Sequence, residues 1–437
     1  MPILLMQGLG EGPFVLYYPG QDRFGMWPFL AARWMHLGTP EAFQAFSVLA
    51  LCSAAIPLAR LLGGSAVAVL TLLAPIVLNH LVSWNLFQAG QPYLWQSVAL
   101  CWAWWACRAA IDSGTSRAGW AAAAGLTLAS VLAIWASPLS IPALLGVVAL
   151  EMLRVRRWRA PEGIAAVAAA ALLEARLRGL FYRYVQGAFA QRFITPLRVD
   201  VGHFTSNLAS VANALHGHDV LLPLGLGGAL ALLPRSNRTE RCGQWILLWL
   251  SVCTLPALIV IGHFRMNGFS ARYFTLPAYW ATAAAVSGAV SLVARLAGRA
   301  RPAALLVLLL ALAVTVPASP RDPLAPLRRE VAELTGPEPR VLLGSYWDVY
   351  LRASLAAKGS LLPLPVEGDY NRFPALTGEL RPERQVLAPC AIDRPDGTAE
   401  QYGALLRRTG PELRPGDDAS LCLHRVERAA RPVGSLP

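Results

Sequence analysis

The amino-acid sequence predicts a mainly α-helical, polytopic membrane protein, with about ten transmembrane helices and a small C-terminal extracytoplasmic α/β domain. Three observations carry this reading. The 437-residue chain is 55% hydrophobic and 15% charged, with a mean hydropathy of +0.45, whereas soluble domains carry about 25% charged residues. Arginine recurs in five short connectors between apolar runs: Arg60; Arg108 and Arg117; Arg154, Arg156, Arg157 and Arg159; Arg235, Arg238 and Arg241; Arg295, Arg299 and Arg301. From Ala318 onward, proline and charge rise and the apolar runs shorten to strand length.

Basic residues in short loops stay on the cytoplasmic side of a bilayer. The Arg connectors therefore orient the chain as a multi-pass protein of the plasma (inner) membrane. They also account for the net charge of +12, which reads as topology and not as nucleic-acid binding, because the arginines do not gather on one soluble face.

A spanning helix needs about 20 apolar residues. On that criterion the spans run approximately 41–61, 64–83, 91–111, 117–136, 138–153, 161–180, 219–233, 244–262, 273–296 and 302–317. The weakest is 161–180, which holds Glu174 and Arg176, and 219–233 is short. With Arg60 inside, every later Arg-bearing connector returns to the inside. Residues 1–40 then form an external N-terminal loop, 41–317 the transmembrane domain and 318–437 the extracytoplasmic domain. An external N-terminal loop of that length has to be translocated. Residues 2–6 are too short for the apolar region of a signal peptide, so a further helix is expected upstream of Met1; unassisted translocation is the alternative.

In the tail, residues 340–345 read as a buried strand, 347–357 as a helix, 361–366 as a second strand and 420–426 as a late one. This alternation makes a small α/β module. Cys52, Cys101, Cys107 and Cys253 lie in apolar runs and read as small buried hydrophobes. Cys390 and Cys422 stand in the polar tail, where an extracytoplasmic location would pair them as a disulfide.

Four segments hold residues capable of chemistry. The loop YYPGQDRFG carries Gln21 and Asp22; a carboxylate at the membrane boundary can act as a general base, or it can pair with Arg23 in a solvated loop. HFRMNGFSARYFTLP sets Arg265 and Arg272, followed by Tyr273, between two spans. Guanidinium forks suit a phosphate, and they equally suit snorkelling to lipid headgroups beside an aromatic belt. The stretch 181–219 holds His216 and His218, spaced as a metal pair, yet no further ligands complete a set; it reads as interfacial helices over a cavity. Asn79, His80 and Gln91, near Trp84, Asn85, Gln88 and Tyr93, combine amides with aromatics, as sugar binding requires and as an interfacial belt also does. No P-loop, GxSxG, HExxH or GxGxxG after a strand occurs. No cofactor is expected, and a divalent metal has no supporting ligand pattern.

The segment YYPGQDRFGMWPFLAARW resembles the first external loop of the GT-C glycosyltransferases, polytopic enzymes that use lipid-phosphate-linked sugars, such as protein O-mannosyltransferases and aminoarabinose transferases. SARYFTLPAYW resembles the Arg-Tyr-x-x-x-Pro start of a late span in that family, and GSYWDVY with GDYNRFP resembles the small external domain that often ends such chains. The resemblance implies transfer of a sugar from a polyprenyl-phosphate donor to a glycan, lipid or protein acceptor. It implies Asp22 as the base and Arg272 as the group near the lipid phosphate. The family differs in having a spanning helix before this loop and, in many members, paired acids where Gln21 precedes Asp22 here. A transporter or flippase for a lipid-linked glycan is the alternative, and it would need polar groups in mid-span. A non-catalytic scaffold of envelope assembly is a third reading.

Overall fold

The computed structural model describes residues 27–37, 39–87, 91–114, 116–155, 161–185, 199, 201–233, 237–266, 268–298, 325–357, 359–366, 374–413 and 420–429. Gln21, Asp22 and the expected span 302–317 lie outside the described residues.

The helices in chain order are α1 (Trp27–Trp34), α2 (Pro40–Ser53), α3 (Ala55–Leu62), α4 (Ser65–Leu78), α5 (His80–Asn85), α6 (Tyr93–Ser113), α7 (Arg117–Ala136), α8 (Ser140–Val155), α9 (Pro161–Val185), α10 (Phe204–Gly217), α11 (Leu221–Leu232), α12 (Arg238–Val252), α13 (Leu255–Val260), α14 (Gly262–Met266), α15 (Thr275–Leu296), α16 (Ala325–Leu334) and α17 (Tyr346–Leu355). Among the described residues, four helical runs are long and apolar enough to cross a membrane: Glu41–Leu62, Arg117–Ala136, Arg238–Val260 and Ala271–Leu296. The other expected spans within the described residues do not meet that criterion, for identifiable reasons. The run expected over 64–83 breaks at Asn79 into α4 and α5. The run at 91–111 is a full helix, α6, whose apolarity is diluted by Gln96 and Arg108. The one at 138–153 makes a helix of only 16 residues, α8. The run at 161–180 carries Glu174, Arg176 and Arg178 within α9. The shorter α4 and α11 are apolar throughout.

With lipid as solvent, helices associate through close packing and internal hydrogen bonds. Gly146 of α8 lies against the indole of Trp249, where any Cβ would collide, and that indole donates to the Pro142 carbonyl at 3.1 Å. Gly227 of α11 and Gly288 of α15 allow a similarly close approach of those two helices. The buried Gln244 of α12 donates to both the Gly227 carbonyl (3.3 Å) and the Ala284 carbonyl (2.6 Å), tying three helices together.

The strongest polar contact is centred on Glu151, which is fully buried. Its Oε1 accepts from the Trp104 indole (2.7 Å) and from Nε (2.9 Å) and Nη2 (2.7 Å) of Arg108. Its Oε2 accepts from Arg154 Nε at 2.6 Å. Arg154 also pairs with Asp112, and Arg108 Nη1 reaches the Leu61 carbonyl at 3.0 Å. Three of the Arg-bearing connectors therefore meet at one end of the bundle, and Arg295 joins them there through Glu240 of α12. Arg108 and Arg154, read from sequence as topology signals, are here also structural cations.

The C-terminal domain is a mixed six-stranded sheet in the order β2-β1-β3-β6-β5-β4, built from β1 (Arg340–Gly344), β2 (Leu361–Pro365), β3 (Gln385–Pro389), β4 (Thr398–Gln401), β5 (Ala404–Leu413) and β6 (Leu421–Arg428). β1 runs parallel to β2 and β3, and the remaining pairs are antiparallel. Strand alternation sorts its core onto two faces. Leu342 and Leu387 pack with Val331, Leu334, Val349 and Tyr350 from α16 and α17. Val341, Leu343, Val386 and Ala388 pack with Leu364, Leu380 and Leu406 on the opposite face. The expected elements at 340–345, 347–357, 361–366 and 420–426 all appear; β3, β4 and β5 were not foreseen. Cys390 and Cys422 form the expected disulfide, with Cα atoms 5.1 Å apart. Beside it the buried His424 contacts Asp393 Oδ1 at 2.6 Å and the Cys422 carbonyl at 2.9 Å. An ion pair from Arg328 of α16 to Glu41 of α2 joins this domain to the helical body.

Two expectations follow. Glu151→Ala leaves two guanidiniums buried without their shared acceptor, which costs about 3–5 kcal/mol. Thermal unfolding in detergent should show a large loss for Glu151→Ala and little change for Arg60→Ala; equal midpoints would disprove the central place given to Glu151. Replacing Cys390 and Cys422 by Ser opens a loop of sequence separation 32, worth about 3–4 kcal/mol. Limited proteolysis should then cut the C-terminal domain first, and unchanged resistance would count against the bond as its fastening.

Candidate functional site

The end of the bundle away from Glu151 is polar in a different way. Along α6, Tyr93 and Arg108 are separated by about 22 Å of helix rise, so the two ends are distinct. The polarity at the Tyr93 end comes from amides, phenols, histidines and one arginine turn.

Asn79 is where the local sequence forces a break. Its backbone is extended (φ −125°, ψ 113°), and its Oδ1 accepts from the Val82 N–H at 3.2 Å, capping α5. Its Nδ2 donates to the His218 carbonyl at 3.4 Å, which ties the α4–α5 break to the end of α10. There the chain turns through Asp219 in the left-handed region (φ 55°), a conformation Asp tolerates better than most residues. The His218 ring lies 5.9 Å from that of Phe274. Phe274 closes the 3-10 turn Ala271–Phe274, which carries Arg272 and Tyr273 and packs against α5.

Arg272 is half-buried. Its Nη2 donates to the Tyr273 hydroxyl at 3.3 Å, and its guanidinium lies 5.2 Å from the centre of the Tyr273 ring. Among the described residues no carboxylate pairs with it. The buried Tyr93 hydroxyl lies within electrostatic reach of both Arg272 and Tyr273. Phe264 meets the Tyr273 ring edge-on at 4.8 Å, so α14, with the exposed Arg265, folds back onto the same turn. An antiparallel bridge between Val199 and Ile261 and a 2.8 Å hydrogen bond from Asn207 to the Ile259 carbonyl hold α10 against α13.

The N-terminal segment reaches the same end. The Trp27 indole donates to the Leu132 carbonyl near the end of α7 at 3.1 Å and meets Trp95 edge-on at 5.3 Å. Phe29, Phe43 and Phe46 continue this aromatic cluster.

Of the residues singled out from sequence, Arg272, Tyr273 and Asn79 come together, and Arg265 is brought to the turn through Phe264. Gln91 is half-buried two residues before Tyr93, and His80 is exposed at the start of α5. Asn79 is buried with its amide committed to Val82 and His218, which makes it a positioning residue in the fold. His216 is exposed while His218 packs on Phe274, and no group of three or more His, Cys, Asp or Glu among the described residues could hold a metal ion. Sequence reasoning passed over Ser97 and Thr275, buried in the helices that begin at Tyr93 and Thr275; as single hydroxyls in apolar helices they carry no pattern. Among the described residues, then, the half-buried Arg272 guanidinium rests on the Tyr273 ring and hydroxyl with no carboxylate partner.

The cap makes a prediction. Asn79→Ala loses both the acceptor and the donor, at about 1–2 kcal/mol for the cap alone; Asn79→Asp keeps the acceptor and loses only the donor to His218. Thermal unfolding should order wild type above Asn79→Asp above Asn79→Ala, and identical midpoints would show that the α4–α5 break is held by something else.

No protein-family profile and no curated protein matches the chain. Among solved structures, the archaeal oligosaccharyltransferase AglB from Archaeoglobus fulgidus, solved in complex with an inhibitory peptide and a dolichol-phosphate, superposes with a TM-score of 0.34 at 14% identity. The match covers 90% of this chain and 65% of that one, so the chain spans about two thirds of the length of this neighbour.

Proposed function

We propose that this chain is a membrane glycosyltransferase of the GT-C type, which moves a sugar from a polyprenyl-phosphate donor to an acceptor on the extracytoplasmic face of the inner membrane. The observation that carries the reading is the Arg272 turn. Its guanidinium is half-buried, unmatched by a carboxylate among the described residues and set against the Tyr273 hydroxyl and ring. A cation in that setting suits a phosphate more than it suits the fold.

In this reading Arg272 holds the donor phosphate, with Arg265 on the adjoining α14 as a second cation. Asp22 takes the proton from an acceptor hydroxyl. The hydroxyl oxygen attacks the anomeric carbon, the bond from that carbon to the phosphate oxygen breaks, and polyprenyl phosphate leaves with its charge against Arg272. Stabilising that leaving anion supplies much of the rate enhancement. Two facts support the pairing of Asp22 with Arg272. Asp22 lies five residues before Trp27, and five residues span at most about 17 Å. Trp27 itself is anchored on Trp95, two residues from Tyr93. His80, Gln91 and Tyr273 line the approach and suit the sugar through hydroxyl hydrogen bonds and stacking; Gln21 is the polar neighbour of the base.

The test is transfer from a panel of polyprenyl-phosphate sugars by purified protein in lipid. Asp22→Asn should abolish transfer with expression and folding intact, and Arg272→Ala should lower it about 100-fold or more, as removal of a preorganised oxyanion donor does. Retained transfer in Asp22→Asn would remove Asp22 from the role of base.

A further inference from the structure

The outward face of α12 carries cations and indoles in one stripe. Arg238, Arg241, Trp245 and Trp249 recur at i, i+3, i+7 and i+11, which places them within about 80° of one another around the helix. Both arginines are exposed, and the two tryptophans are 39% and 36% exposed. The neighbours of α12 set the borders of this stripe. On one side the Cys242 thiol donates to the Leu150 carbonyl of α8 at 3.4 Å, and the Trp249 indole to the Pro142 carbonyl at 3.1 Å. On the other, Gln244 donates to the Gly227 carbonyl of α11, and Leu248 lies over Gly227. Leu153 and Leu232, both exposed, stand at the ends of α8 and α11 where these helices meet the start of α12.

The first turn of α12 holds one acid, and it is directed elsewhere. Glu240 stands about 140° around the helix from the centre of the stripe. Its Oε2 accepts from Arg295 of α15 at 3.4 Å, and its Oε1 lies beside Gly63 at the end of α3. Among the described residues no carboxylate pairs with Arg238. Arg238 also opens its helix, where the backbone dipole disfavours positive charge, so helix energetics does not select it. Topology calls for basic residues at such an end but does not set the face they share. Here two cations share a face with an indole one turn on, about 6 Å along the axis from Arg241. That spacing puts a guanidinium at phosphate depth when the indole lies at the interfacial level where Trp concentrates. Arg117 and Trp120 at the start of α7 show the bare form of the pattern, with one exposed cation and an indole 64% exposed.

We propose that this face of α12 binds one anionic phospholipid. Arg238 and Arg241 meet the phosphodiester and headgroup, since guanidinium forks match phosphate oxygens. The Trp245 N–H donates to an ester carbonyl, and its ring, with Leu153 and Leu232, meets the start of the acyl chains. Two cations whose one neighbouring acid is turned inward fit a headgroup of net negative charge, and they oppose the ammonium of a zwitterionic one. Basic sites between membrane helices hold anionic headgroups in this way. The inference depends on the membrane character of the chain and not on sugar transfer. Arg272 lies at the other end of the helical run that finishes beside Glu240, about 30 Å of helix away.

The experiment titrates full-length protein in detergent with palmitoyl-oleoyl phosphatidylglycerol and, separately, with palmitoyl-oleoyl phosphatidylcholine, and follows retained lipid by native mass spectrometry. Wild type should hold phosphatidylglycerol about 10-fold or more tightly than phosphatidylcholine. Arg238→Gln with Arg241→Gln should weaken phosphatidylglycerol about 10- to 30-fold, as loss of two cations facing an anionic lipid does, and leave phosphatidylcholine nearly unchanged. Arg117→Gln, which removes an exposed cation from the bare pattern on α7, should leave phosphatidylglycerol affinity as in wild type. All three arginines are exposed, so the variants should fold, and thermal unfolding checks that they do. Equal affinity of wild type for the two lipids would overturn the site, as would an unchanged phosphatidylglycerol affinity in the folded double variant. An equal loss in Arg117→Gln would overturn it too, because diffuse attraction between basic connectors and anionic lipid would then account for the preference.

Discussion

A carboxylate buried among apolar helices has to find its hydrogen-bond donors within the protein, because lipid offers none. Glu151 finds them on α6 and on its own helix. The Trp104 indole and Arg108 converge on one oxygen and Arg154 on the other. Arg108 extends the connection to α3 through the Leu61 carbonyl. Moving any one of these helices would strand a buried charge, so their relative positions at this end are tightly specified. Desolvation offsets much of the Coulomb gain in such a network, while removing one partner leaves an uncompensated buried charge.

The consequence is felt at the other end of the same helices. α6 runs from Tyr93 to the Arg108 region, and α8 and α12 pack on it or on each other through Gly146 and Trp249. Fixing the Glu151 end fixes the axis on which Tyr93, Ser97 and Cys101 are arrayed. α15 is then held against this frame by Gln244 and by the Tyr279 hydroxyl on Leu72. The Arg272 turn thereby sits on a scaffold made rigid from a distance, with Asn79 and His218 steadying it locally. In the proposed reading, a site that holds a leaving anion without reorganising benefits from such remote anchoring.

Much of this organisation is readable from sequence, and what is missed shares a physical cause. The alternation of Arg connectors anticipates that these connectors gather at one end, and four strong apolar runs appear close to their expected bounds. Cys390 and Cys422 are recognisable because only they stand in a polar, strand-forming region. Glu151 is lost within an apolar run, since one acid amid VVALEML does not disturb hydropathy; its meaning depends on Arg108, far away in sequence. Cys242, buried against the Leu150 carbonyl, follows an Arg-rich connector and reads as part of it. β3, β4 and β5 are missed because proline, charge and glycine dominate 380–413, whereas their pairing comes from the long-range register with β6. At the candidate site, Arg272 is visible by breaking the charge pattern.

The contrast between Arg108 and Arg272 carries the functional argument furthest. Both are arginines at the ends of apolar helices, and each lies against an aromatic ring, Trp104 and Tyr273 respectively. Arg108 is neutralised by Glu151 and further held by a backbone carbonyl, so its donors are met inside the fold. Arg272 has a phenol hydroxyl and a ring face, and neither cancels a charge. A cation that the fold itself required would be expected to recruit a carboxylate, as Arg108, Arg154, Arg178 and Arg352 do. Among the described residues no carboxylate meets Arg272, and the proposed reading assigns its counter-charge to the donor phosphate.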